Sequence, residues 1–333
     1  MTDAYYRPLV QNDKCQPRGA LPVVGGHLWF THVEKIARGS ASQVVAATEI
    51  PKGVLENLTT ARAQFCGLDM QRPSIMGILN ATPDSFSDGG QHYTFDDAVN
   101  GAKAMIAAGA DMIDIGGEST RPGADFVDAS EEARRTTPVI SALRTTGTPL
   151  SIDTRKASVA REAFDAGAVL FNDVTALTYD AESLATAADL DASVCIMHAA
   201  GDPKTMQDKP EYDNVLLDVY DYLEGRIEAC IAAGIPREKI MIDVGIGFGK
   251  TQTHNLELLR GIALFHGLGC PILLGVSRKR FIGTIGDAPN ATERAAGSIA
   301  VGLNAINQGV QMLRVHDIAE TKQAIALNAA LTN

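Results

Sequence analysis

Eight times between residue 74 and residue 331 the chain repeats one pattern. Four or five mostly apolar residues end in a polar or glycine-containing turn, and a stretch of helical character follows. The runs are 75–79 (IMGIL), 111–115 (DMIDI), 149–153 (PLSID), 168–172 (AVLFN), 193–197 (SVCIM), 239–243 (KIMID), 271–275 (PILLG) and 311–315 (QMLRV). Helices are predicted near 94–108, 130–145, 155–166, 180–189, 213–233, 255–267, 292–309 and 317–331. The seven intervals between residues 77 and 313 average about 34 residues, close to one eighth of a barrel of ~250 residues. Near-continuous apolar strands alternating with helices make a parallel sheet with its outer face covered. An open, doubly wound sheet would also satisfy the alternation. Eight regular units with no strand left over favour closure. The sequence therefore predicts an α/β fold, a TIM (β/α)8 barrel over 71–333 with a short N-terminal extension over 1–70.

The extension reads differently. Residues 21–30 (LPVVGGHLWF) place two apolar runs around Gly25-Gly26, a hairpin signal, and a helix is expected after Pro51. Because the repeat starts only at residue 74, removal of 1–70 is expected to leave a foldable barrel, with some loss of solubility where Trp29 or Phe30 had packed.

With 333 residues the chain is long enough for one large barrel, and its net charge of −11 argues against general nucleic-acid or anionic-membrane binding. It leaves room for a small anion held by a few converging cations. The five cysteines (Cys15, Cys66, Cys195, Cys230, Cys270) are widely spaced with no C-x-x-C, which fits a reducing cytoplasm better than a disulfide scaffold. The start resembles no signal peptide, and the longest apolar region, 261–276, is interrupted by His266 and Pro271. A soluble, cytoplasmic protein is expected.

In a closed barrel, function collects at the C-terminal ends of the strands. Those ends carry Asn80, the turn 116–121, Asp153, Asn172-Asp173, His198, Asp243, Ser277-Arg278-Lys279, and Arg314 with His316. Each has an ordinary alternative: Asp153 as the N-cap of the next helix, His198 or His316 as a satisfied loop histidine. Eight polar ends together point to one composite site. The segment GIGFGKT (245–251) has the wrong spacing for a P-loop and reads as a glycine-rich loop approaching a ligand, with Phe248 as a flat apolar surface. RKR at 278–280 is too short for a nucleic-acid patch and suggests anion contact.

Two long segments carry a resemblance. I-M-G-I-L-N-A-T-P-D-S-F-S-D-G-G (75–90) and G-A-D-M-I-D-I-G-G-E-S-T-R-P-G (109–123) are similar to the two signatures of the dihydropteroate synthases. S-I-D-T (151–154), F-N-D-V (171–174), C-I-M-H (195–198), D-V-G-I-G-F-G-K (243–250), S-R-K (277–279) and R-V-H-D (314–317) extend the likeness over residues 74–331. Two departures stand out. Val244 replaces the proline of the family's D-P-G, and the first 70 residues lie outside the shared barrel.

The resemblance implies condensation of (7,8-dihydropterin-6-yl)methyl diphosphate with p-aminobenzoate to give 7,8-dihydropteroate and diphosphate, with Mg²⁺ as cofactor and a homodimer as the assembly. It places the pterin against Asp153, Asn172, Met197, Asp243, Lys279 and Arg314. The amine substrate would lie against Thr120, Arg121, Pro122, Phe248, Ser277 and Lys279. The diphosphate falls to Asn80, Arg121, Arg314 and His316, with Asn80 also the Mg²⁺ ligand. Asp153, Lys279, Arg121 and Asp88 are the implied catalytic set. Asp88 and Asp84 either reach the metal and the developing pterin cation or cap their loop locally. The chemistry agrees: carboxylates and an amide suit the donors and acceptors of a pterin edge, and cations with a metal suit a departing diphosphate. A pterin-dependent methyltransferase on a similar barrel has little need for the diphosphate set. A non-catalytic pterin binder would not need Lys279, Arg121 and Asn80 together.

Overall fold

The structure is a computed structural model that describes residues 4–81, 94–119, 126–201 and 210–332. Asp84, Asp88, Thr120, Arg121 and Pro122 therefore lie outside the described residues, as do most of the two loops that carry the long signatures.

The N-terminal unit contains five short strands and one helix: β1 (Tyr5–Pro8), β2 (Leu21–Pro22), β3 (Trp29–Phe30), β4 (His32–Ile36), β5 (Gln43–Ala46) and α1 (Lys52–Thr59). The hairpin expected around Gly25-Gly26 is present, with Leu21 opposite Phe30 and Pro22 opposite Trp29. The antiparallel sheet β1-β4-β5, which no turn signal announced, joins it. Phe30, Val33 and Leu58 are fully buried in a core of this unit's own.

The barrel strands are β6 (Ser74–Asn80), β7 (Met112–Gly116), β8 (Leu150–Asp153), β9 (Leu170–Asp173), β10 (Ser193–Met197), β11 (Ile240–Asp243), β12 (Ile272–Leu274) and β13 (Met312–Val315). All neighbours are parallel, and β13 pairs with β6 to close the barrel. Around it run α2 (Phe95–Ala108), α3 (Ala129–Leu143), α4 (Ala157–Ala166), α5 (Ser183–Asp189), α6 (Val215–Ala232), α7 (Gln252–Arg260), α8 (Arg280–Ile285), α9 (Ala295–Ile306) and α10 (Ile318–Thr332). The predicted helix 255–267 divides into α7 and a 3-10 stretch over Ile262–Leu268. The helix ends follow local chemistry. Thr94 and Asp97 form a reciprocal cap at the start of α2, which stops at Gly109 with φ 105°.

Period-two alternation explains how one strand serves both floor and mouth. Met76, Met112, Leu170, Cys195, Met241, Leu273 and Met312 gather inside the lower barrel, where Phe65 and Met70 plug them from below. Flexible methionines fill such an irregular space well. Two residues further along β7, β9, β11 and β13, on the same face, stand Asp114, Asn172, Asp243 and Arg314. The barrel interior is thus apolar at its floor and polar at its mouth. Residues 61–70, which precede the first repeat, contribute to that floor.

Candidate active site

The centre of the mouth is a buried carboxylate. Asp114, fully enclosed on β7, accepts through Oδ2 from Arg314 Nε at 2.6 Å and from Asn172 Nδ2 at 3.1 Å. Arg314 also donates Nη2 to Asp153 Oδ2 at 2.7 Å. Four strands, β7, β8, β9 and, across the barrel, β13, are joined this way, which no linear spacing could reveal. Asp153 Oδ1 and Asp114 Oδ1 are buried and have no hydrogen-bond partner. Burial pushes the Asp153 carboxyl up; Arg314 opposes this and Asp114 adds to it. Arg314 keeps its charge because Asp114 and Asp153 outweigh the cost of its burial.

Asp153 is not a helix cap. The N-cap position of α4 is Lys156, without a side-chain cap, and the Asp153 carboxylate is turned inward to Arg314. Asp173, beside Asn172, is structural: it accepts from the backbone N–H of Thr175 at 2.7 Å and of Leu177 at 2.9 Å.

Asp243 ends β11, and its Oδ1 accepts Gly245 N–H at 2.7 Å. Burial raises this carboxyl and the nearby Lys279 charge lowers it. Gly245 is required. Its φ is +69°, and a Cβ there would lie 1.8 Å from the His198 carbonyl oxygen. Gly247 and Gly249 share the left-handed conformation at φ +85° and +64°. The loop is held from behind by Lys250, whose Nζ sits 2.8 Å from His198 Nδ1, 3.2 Å from His198 O and 3.1 Å from Phe248 O. Burial pulls Lys250 down to about 7 and His198 down to about 3, so the histidine is a neutral partner of this anchor. His198 supports the loop; it does not line the carboxylate cluster.

Lys279 follows β12 and reaches back over this loop. Its Nζ bonds the Ile246 carbonyl and lies 4.4 Å from the centre of the Phe248 ring. Burial lowers Lys279 to about 8, with Asp243 working to raise it. Ser277 Oγ is 2.9 Å from His316 Nδ1 and accepts the His316 N–H at 3.1 Å, which couples the ends of β12 and β13. Met197 ends β10 opposite Asp243, and Asn80 ends β6 opposite Gly116. Arg278 does not make the anion contact suggested for RKR. Its guanidinium is committed to Asp317 at 2.5 and 3.1 Å.

Asp114 was missed by sequence reasoning because it sits inside the run DMIDI, where only strict alternation from the floor residue Met112 would have flagged it. A second cluster was also missed. Glu118 Oε2 accepts from Arg155 Nε at 3.0 Å, with Lys156 Nζ at 3.2 Å, and Oε1 accepts Val127 N–H at 3.0 Å. Glu118 thereby ties the connection leaving β7 to the one leaving β8.

Among the described residues no group of three or more His, Cys, Asp or Glu side chains could hold a metal. Mg²⁺ usually keeps several waters and takes one or two protein oxygens plus substrate phosphates. The neutral amide of Asn80 at the mouth fits a metal that arrives with a diphosphate.

A barrel whose mouth presents carboxylates, an amide and cations to one enclosed space is that of an enzyme binding a flat, polar heterocycle. The profile of the family described as "Pterin binding enzyme" matches residues 76–316. The dihydropteroate synthase of Escherichia coli (strain K12) is 46% identical over 264 residues, spanning 79% of this chain and 93% of that protein. The Yersinia pestis dihydropteroate synthase in a sulfonamide drug complex superposes with TM-score 0.76 at 45% identity, covering 79% of this chain and 96% of that one. The Xanthomonas albilineans dihydropteroate synthase in complex with 7,8-dihydropteroate gives 0.72 at 42% identity, covering 79% and 95%. The chain belongs to the dihydropteroate synthase family of pterin-binding enzymes.

Proposed function

We propose that the mouth of this barrel joins p-aminobenzoate to (7,8-dihydropterin-6-yl)methyl diphosphate, a transferase reaction that gives 7,8-dihydropteroate and diphosphate. The observation that carries the residue assignment is the buried hydrogen-bonded chain Asn172–Asp114–Arg314–Asp153, with Asp153 Oδ1 left unpaired. An unsatisfied buried acceptor costs stability, and a ligand N–H relieves it.

In this reading Asp153, Asn172, Asp243 and Met197 bind the pterin, Lys279 donates to it, and the planar guanidinium of Arg314 lies against its face. Arg121, Arg314, His316 and Asn80 take the diphosphate. Thr120, Arg121, Pro122, Phe248, Ser277 and Lys279 hold p-aminobenzoate. The bond from the methylene carbon to the diphosphate oxygen breaks, and the electron pair leaves with diphosphate. The aryl amine, its lone pair free at neutral pH, forms the new C–N bond and loses one proton to water or to the leaving group. No general base is required, so positioning and charge stabilisation do the catalysis. Asp153 and Asp88 face the cationic carbon in this scheme, Arg121 the anionic leaving side, and Lys279 meets pterin and p-aminobenzoate together. Mg²⁺ on Asn80, when bound, supplies charge neutralisation at the diphosphate.

A homodimer through the late barrel helices accords with the family. Leu327 and Leu331, four residues apart on α10, are 62% and 84% exposed, a surface that a second subunit would cover. Among the described residues no helix is long and apolar enough to cross a membrane. All five cysteines are free thiols, which supports a cytoplasmic location.

Diphosphate release measured with and without p-aminobenzoate tests the function. Release dependent on the amine is expected. Release independent of it, or none, overturns the reading.

A further inference from the structure

Asp114 meets no substrate in the scheme above, yet its side chain hydrogen-bonds both Arg314 and Asn172. Its position defines what it can do. A carboxylate oxygen only accepts, so the atom that Asn172 turns toward Asp114 Oδ2 has to be the amide nitrogen. The amide is planar, so its carbonyl Oδ1 lies on the side away from Asp114. Nitrogen and oxygen of an amide are nearly interchangeable in shape, so the acceptor-only partner decides which of them faces it.

We infer that Asp114 is a positioning residue that sets the hydrogen-bonding polarity of the pterin pocket, by holding Asn172 with its carbonyl toward the ligand. Asn172 Oδ1 then joins the unpaired Asp153 Oδ1 and the carboxylate of Asp243 as a row of acceptors. Such a row selects a heterocycle edge rich in N–H groups, as an aminopyrimidinone edge is, and it rejects isosteres that present acceptors there. A flipped amide would face a ligand N–H with its own N–H, which leaves both buried donors unpaired. The Asp114 Oδ2 bond to Arg314 contributes separately, by keeping the guanidinium at one side of the same space. Arg314 retains Asp153 as a second anchor, so the loss of Asp114 bears most directly on Asn172.

This rests on the pterin reading of the site. The test is calorimetric binding of 6-hydroxymethyl-7,8-dihydropterin, which lacks the diphosphate, to four chains: parent, Asp114→Ala, Asn172→Ala and the double variant. Asp114→Ala is expected to weaken binding at least about tenfold, the effect of one buried unsatisfied pair. In the Asn172→Ala background the same substitution is expected to cost no more than about threefold, the remainder acting through Arg314. Asp114→Asn, whose single carbonyl oxygen still accepts from both donors, is expected to restore most of the affinity. Equal losses in both backgrounds, or no rescue by asparagine, overturn the positioning role while leaving the pterin site intact. Absence of binding by the parent overturns the pterin reading itself and this inference with it. Should Asp114→Ala not fold, neutron diffraction from crystals of the parent decides. Deuterons of the Asn172 amide directed at Asp114 support the inference, and deuterons directed into the pocket overturn it.

Discussion

Replacing Asp243 by asparagine tests the pterin edge most sharply. One carboxylate oxygen already accepts Gly245 N–H at 2.7 Å, and the other remains for a ligand. An amide cannot serve both. With its oxygen toward Gly245 the loop bond survives, but an NH₂ faces the ligand donors. With its oxygen toward the ligand, an NH₂ faces the Gly245 N–H and the glycine turn loses its anchor. Either way one buried pair becomes donor against donor, which costs about 1–3 kcal/mol, and the charge assistance of the lost carboxylate adds to that. Pterin affinity is therefore expected to fall at least about tenfold, since about 1.4 kcal/mol is one decade. The lost negative charge also removes the influence that raises Lys279, so the lysine deprotonates at lower pH than its present value of about 8. The part of the defect that acts through Lys279 should therefore be present below about pH 8, where the parent lysine is charged, and fade above it, where the lysine is neutral in both chains. Val244, fully buried in the core, does not hold the carboxylate; the Gly245 N–H does. Calorimetry with 6-hydroxymethyl-7,8-dihydropterin at pH 7 and pH 9, alongside thermal unfolding, reads both effects. An Asp243→Asn chain that binds as tightly as its parent would show Asp243 to be structural, with Asp153 and Asn172 reading the edge alone.

Four further outcomes follow from particular groups. Lys279, lowered to about 8 by burial, carries its charge below that pH, while Asp153, raised by burial, ionises only above the ordinary carboxylate range. kcat/KM for the dihydropterin substrate should fall as pH rises through about 8, and Lys279→Arg, always charged, should remove that limb; a limb that persists in the arginine variant refutes the assignment. Arg121→Ala should raise KM for p-aminobenzoate and weaken the diphosphate substrate while sparing diphosphate-free pterin, a division that calorimetry with both pterins checks. Phe65→Ala should cost about 3–5 kcal/mol in denaturant unfolding, because Phe65 is 1% exposed and closes the methionine floor; a chain beginning near residue 60 should accordingly be more stable than one beginning at 71. His266 is buried and lowered to about 3 from an ordinary 6.5, so the unfolded chain binds its proton first. Its contribution is intact above pH 6.5 and is lost as pH falls toward 3, so the melting temperature should decline over that window and His266→Gln should flatten the decline.

The barrel was legible in the sequence because its cause is local and periodic. Each strand is buried on both faces, so it reads as an apolar run, and each helix is long enough to cover it. The strand-end polar residues were legible for the same reason, since a polar residue directly after such a run lies at the mouth by topology alone. Capping as the role of Asp153 and an anion contact for Arg278 were local readings of the same kind. Both gave way to partners far along the chain: Arg314 lies 161 residues from Asp153, and Asp317 lies 39 residues from Arg278. Asp114 was hidden because a strand buried on both faces does not announce which residues share the inner one. The floor plug of Phe65 and Met70, the Glu118 junction and the Lys250–His198 anchor were equally out of reach. Sequence periodicity determined the units and their order. Closure of the barrel, which sets which side chains stand opposite one another across its interior, alone decided that Asp114, Asp153, Asn172 and Arg314 form one hydrogen-bonded site.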